Sequence, residues 1–83
     1  MIVKISINEQ FVKPAYLKSI YDLIEENNCY QETTFEDKYD SDRRRYSKIR
    51  IIEIIGSDTM VSYLLLKLQR YNYKIIQLNN GVI

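Results

Sequence analysis

The sequence predicts an α+β fold, and three observations carry that expectation. The run Ile49 to Ile55, reading Ile-Arg-Ile-Ile-Glu-Ile-Ile, places five isoleucines in seven positions, and such stiff β-branched side chains suit a pleated surface better than a helix. Apolar residues fall at both odd and even positions of that run, so both faces need cover, as in a strand at the centre of a sheet. Elsewhere the chain switches between period-two alternation and helical spacing, in the order strand, helix, strand, strand, helix, strand.

Ile2 to Ile7 alternates, with Val3, Ile5 and Ile7 on one face and Lys4 and Ser6 on the other, the pattern of a strand with one core face. Asn8 to Lys13 reads as a loop. Pro14 suits the first position of a helix, where its missing N–H costs nothing. Leu17, Ile20, Tyr21 and Ile24 then form one amphipathic stripe, which Asn27 and Asn28, residues tolerant of the left-handed conformation, bring to an end. Cys29 is expected to fill core space at that helix end. Tyr30 to Asp37 alternates weakly and is rich in Thr, Gln and Glu, which suits an exposed edge strand, and Lys38 to Asp42 reads as a charged turn without glycine.

In the isoleucine strand, Ile52 and Ile54 are assigned to the dry core. Glu53 goes to the second face, within reach of a cation such as Lys4 if the first and third strands are neighbours. Its sharper reading is an active-site carboxylate; a cross-strand partner for lysine requires no special chemistry. Gly56 closes the strand, and Ser57 or Asp58 suits the N-cap of a second helix. That helix carries the stripe Val61, Leu64, Leu65 and Leu68, extended by Tyr71 and stopped by Asn72. Tyr73 to Leu78 is a last strand, and Asn79-Asn80-Gly81 a turn signal before Val82 and Ile83. Each half of this order is a β-α-β crossover. Right-handed crossovers joined by a hairpin give the ferredoxin-like βαββαβ arrangement, a four-stranded antiparallel sheet with two helices on one face. The first and third strands then lie in the middle, and the second and last at the edges.

Residues 1–83 are expected to form a single domain, near the size at which chains lean on disulfides, metals or a partner subunit. With one cysteine and no histidine the chain cannot form an internal disulfide and has almost no ligands for zinc or haem, so no metal and no cofactor are expected. A hydrolase triad lacks its histidine, and Gly56 and Gly81 cannot build a phosphate-cradling loop. The expectation is a protein that is not an enzyme. No apolar run is long enough to span a bilayer and the N-terminus lacks a signal-peptide pattern, so a soluble, cytoplasmic protein without membrane contact is expected. Twelve basic and eleven acidic side chains leave a net charge of +1, too little for a global field toward nucleic acid.

Two groups of residues are candidates for contact. If the helices cover one sheet face, the open face shows Ile49, Ile51 and Ile55 around Glu53, joined by apolar residues of the last strand. Such an apolar patch is of the kind that marks an interaction surface, so that this face or an edge beside it is expected to meet a second copy or another protein. The other group is the segment from Glu36 to Arg50, with four acids ahead of most of its six bases. A hairpin would let these charges compensate across its strands. Alternatively Arg43, Arg44 and Arg45, with Tyr46, project as a site for phosphate or carboxylate, which guanidinium forks bind bidentately. Of the eight tyrosines, Tyr30, Tyr39, Tyr46 and Tyr73 lie on or near the hairpin and edges, where tyrosine is a frequent contact residue.

The leading functional expectation is a small non-catalytic protein–protein interaction module, a homodimer that regulates or inhibits a larger macromolecular machine, in the style of a phage or other mobile-element product. The first alternative is RNA or DNA binding through Arg43, Arg44 and Arg45, although no motif of the RNA-recognition type is present. The second, a small-ligand-sensing regulatory domain, rests on fold analogy.

Overall fold

The computed structural model describes residues 1–71 and 73–79. They form β1 (Ile2–Asn8), a short 3-10 turn (Glu9–Phe11), α1 (Pro14–Glu26), β2 (Tyr30–Asp40), β3 (Arg45–Ile55), α2 (Asp58–Leu68) and β4 (Lys74–Asn79). The strands make one four-stranded sheet in the order β2-β3-β1-β4, every pairing antiparallel. The isoleucine strand and β1 are therefore the inner pair, and β2 and β4 are the edges.

The register explains where the core lies. Val3 stands opposite Ile54 and Ile5 opposite Ile52, and residues directly opposite one another share a sheet face. Together with Ile7 they join Ile20 and Ile24 of α1 and Val61, Leu64 and Leu68 of α2 in one fully buried cluster. Both helices thus pack on the same face of the sheet. Each of these side chains stabilises the fold by about 1.5–3 kcal/mol relative to exposure.

The helix ends follow from local chemistry. Pro14 opens α1. At its far end the Cys29 N–H donates to the Ile24 carbonyl (3.1 Å) and the Asn28 N–H to Glu25 (3.0 Å), while Asn28 takes a φ of 55°. This is a Schellman closure built on asparagine instead of glycine. Ser57 caps α2 by accepting from the Met60 N–H (3.3 Å). Between β3 and α2, a Cβ on Gly56 would lie 2.9 Å from Cys29 Sγ and 3.1 Å from Val61 Cγ2, so the absence of a side chain is what lets these segments approach. Cys29 packs against the core cluster, and burial pushes its thiol pKa up.

The central hairpin is longer than the sequence predicts. β2 continues to Asp40, β3 begins at Arg45, and the turn expected over Lys38–Asp42 occupies residues 41–44. Two oppositely charged pairs, Asp37 with Lys48 and Asp40 with Arg45, face each other across the extension and favour it. Arg44 supplies the left-handed residue, at φ 53°, and Asp40 Oδ1 accepts from the backbone N–H of Asp42 (3.0 Å) and Arg43 (3.3 Å), an arrangement that holds a turn without glycine. The expected loop after β1 contains the 3-10 turn, capped by Asn8 Oδ1 accepting from the Gln10 N–H (2.9 Å). α2 ends at Leu68, short of Tyr71, the residue expected to extend it. The expected stop at Asn72, and Asn80 and Gly81 of the expected terminal turn with Val82 and Ile83 beyond it, lie outside the described residues.

Candidate interaction surface

Period two places Lys4, Ser6 and Asn8 of β1 and Ser47, Ile49, Ile51, Glu53 and Ile55 of β3 on the face away from the helices. Of the residues expected there as an apolar patch, Ile51 is only 9% exposed, Ile49 is half-buried and Ile55 alone is exposed. Ile51 sits between Ser6 and Thr34 in the register, and Ile49 between Asn8 and Glu36, so the chain's own polar neighbours cover Ile51 and leave Ile49 partly open. Glu53 stands opposite Lys4, with Lys4 Nζ 3.5 Å from its carboxylate. That partly exposed pair is worth about 0–1 kcal/mol.

The exposed aliphatic residues of the sheet are concentrated on β4, the strand expected to extend that patch. Ile75, Ile76 and Leu78 are 50%, 52% and 56% exposed. Ile75 and Leu78 stand opposite Ile5 and Val3, which puts them on the helix-covered side, yet the packed cluster ends at β1 and leaves them in solvent. Ile76 falls where the register shifts between β1 and β4, a bulge in the edge strand. Among the described residues no strand pairs with the outer margin of β4. The sequence signal was present: six residues with Lys74 as their only charge, in a strand assigned to an edge.

The arginine turn is largely occupied with its own surroundings. Arg43 stacks over the Phe11 ring at 5.4 Å and approaches Asp40 at 3.7 Å, while Arg45 Nη2 donates to Gln10 Oε1 at 3.5 Å. Arg44 is exposed at the tip. Tyr39 and Tyr46, directly opposite in the register, are exposed with rings 5.1 Å apart. Tyr30 is exposed where β2 begins. Tyr73 packs partly against the core, and burial raises its phenol pKa.

Arg50 has a role that local sequence reading missed. It pairs with Glu9, donates to Tyr21 Oη at 3.0 Å and lies 4.8 Å over the Phe35 ring, while Tyr21 and Thr33 share a hydrogen bond of 2.7 Å. Burial works against the charge, but the hydrogen bonds to Glu9 and Tyr21 outweigh it and hold the Arg50 pKa above its ordinary value. The cluster ties β2 and β3 to α1 and the 3-10 turn.

Two depressions mark the open face. One, of about 560 Å³, lies at the hairpin end between Ser6 and Asn8, the hairpin residues Lys38, Asp40, Ser47 and Ile49, and Lys74, with Phe11 at its margin. The other, of about 390 Å³, is bordered by Glu32, Glu36 and Glu53 with Lys4. Among the described residues no group of three or more Cys, Asp or Glu side chains is placed to hold a metal ion. Among the same residues no helix is long and apolar enough to cross a membrane. No protein-family model matches the chain, and no curated protein matches it.

Proposed function

We propose that this chain is a non-catalytic protein–protein interaction module of ferredoxin-like topology, a homodimer that regulates or inhibits a larger macromolecular partner. The strand order β2-β3-β1-β4 with both helices on one face supports the topology. The observation that carries the functional reading is β4, an edge strand with every residue exposed, three of them large and apolar. Such an edge is a template for pairing with another chain.

A second copy fits it. In an antiparallel two-fold pairing centred between Ile76 and Gln77, Ile75 stands beside Leu78 of the other copy, and the two Lys74 ammonium groups lie at opposite ends, where they do not repel. The non-catalytic part of the proposal rests on composition: no histidine and a single cysteine whose thiol is discouraged from ionising. The arginine turn gives nucleic-acid binding less support, because Arg43 and Arg45 are held by Phe11, Asp40 and Gln10.

Sedimentation equilibrium tests this reading. The expected result is a dimer for the natural sequence and a monomer with unchanged circular dichroism for Leu78→Lys. A natural chain that stays monomeric at the highest soluble concentration would defeat it.

A further inference from the structure

The open face is polarised along its length. Glu32, Glu36 and Glu53 border one depression, with Lys4 as the cation among them. At the hairpin end the balance reverses. Lys38 stands opposite Ser47, and Lys74 opposite Ser6, so both stems rise from the open face on either side of the larger pocket. Neither lysine makes an ion pair among the described residues.

The carboxylate in that pocket is already used. Asp40 accepts two backbone N–H groups through Oδ1, and its Oδ2 lies 3.7 Å from the Arg43 guanidinium, which neutralises it within the turn. Asn8 likewise spends its carbonyl oxygen on the Gln10 N–H, leaving its NH2 to donate. What remains is rich in donors: two ammonium groups, an amide NH2 and the hydroxyls of Ser6 and Ser47. Half-buried Ile49 forms an apolar floor, and exposed Phe11 stands at the margin. The volume of about 560 Å³ falls within the roughly 300–1,000 Å³ of small-molecule sites.

We propose that this pocket binds a small organic phosphate, its oxyanion held between Lys38 and Lys74 and its carbon body resting on Ile49. Lysine binds phosphate as a point charge. A phosphate monoester carries close to two negative charges and several acceptor oxygens near neutral pH, which matches two unpaired cations beside a set of donors. The site does not depend on pairing at β4.

The test is a titration of the full chain with phenyl phosphate, followed by amide chemical shifts. Binding is expected to move Asn8, Ser47, Ile49 and Lys74, and to weaken about tenfold or more in the combined Lys38→Gln and Lys74→Gln variant. Lys67→Gln, on a lysine stacked over Tyr63, should bind as the natural chain does. Absence of shifts at millimolar phenyl phosphate, or equal affinity in the combined variant, overturns the proposal. Inorganic phosphate binding as tightly as phenyl phosphate overturns the organic ligand. Displacement of phenyl phosphate by a single-stranded oligonucleotide at a far lower phosphate concentration would make the pocket part of a nucleic-acid surface instead.

Discussion

The two edges of the sheet are guarded very differently. β2 runs for eleven residues, pairs with β3 along its whole length and carries Glu32, Glu36, Asp37, Lys38 and Asp40. It is also fastened to the body of the domain, by Thr33 to Tyr21 and by Phe35 beneath Arg50 and Lys48. β4 has six residues, one charge and a register shift against β1. A charged margin repels an incoming strand, and a bare one receives it. Position at an edge therefore does not make a strand adhesive; side-chain charge decides, and here it has been spent on one side of the sheet.

That contrast can be broken in order of expected effect. Leu78→Lys should weaken self-association about a hundredfold or more, whereas Gln31→Lys on β2 should leave it unchanged in the same sedimentation experiment; equal effects at both edges would erase the distinction. Next, Arg50→Ala should cost about 2 kcal/mol in urea denaturation, since it leaves Glu9 without its cation in a partly buried place and removes one of the two hydrogen bonds of the Tyr21 hydroxyl. A loss below about 0.5 kcal/mol, the usual size for a surface change, would mean that β2 is not anchored there. Gly56→Ala should cost about 1–2 kcal/mol through its clash with Cys29 Sγ and Val61, and adding Cys29→Ala should restore part of it. No restoration would assign the strain to Val61 or to the backbone.

The smallest effect concerns pH. Cys29 immediately precedes β2 and Tyr73 immediately precedes β4, and burial raises both pKa values from the ordinary 9.0 and 10.0. The folded chain therefore holds these protons more tightly than the unfolded chain does. Their contribution is complete below the ordinary values and is lost as pH rises through them toward the raised ones. Denaturation midpoints should fall on going from about pH 8 to about pH 11, less steeply in Cys29→Ala and in Tyr73→Phe. Identical slopes in all three proteins would remove these two groups as the cause.

The fold was legible where local chemistry governs it. Ile52 and Ile54 face the core, Lys4 meets Glu53, Pro14 opens α1, Asn28 closes it in the left-handed conformation, and Ser57 caps α2. These follow from periodicity and from a few backbone preferences. The hairpin turn was misplaced because Arg44 fills a position that ordinarily signals itself with glycine or asparagine. Arg50 was missed because its partners lie 29 and 41 residues away, beyond any local pattern. Ile51 looked exposed because alternation tells which face a residue occupies, not whether polar neighbours on adjacent strands shield it. The apolar residues of the last strand were expected to be exposed, but on the open face; Ile75 and Leu78 turn to the helices' side and still fall outside their cover.

One further property follows from having a single bare margin. A sheet that could add strands at either side would go on adding copies into a fibre, because each addition would expose a fresh acceptor. The proposed join between two β4 strands would use up the receptive side of both molecules and leave only the charged β2 strands outermost. Growth through that join would stop at two, and a protein with isoleucine-rich strands would then be kept at high concentration without seeding filaments.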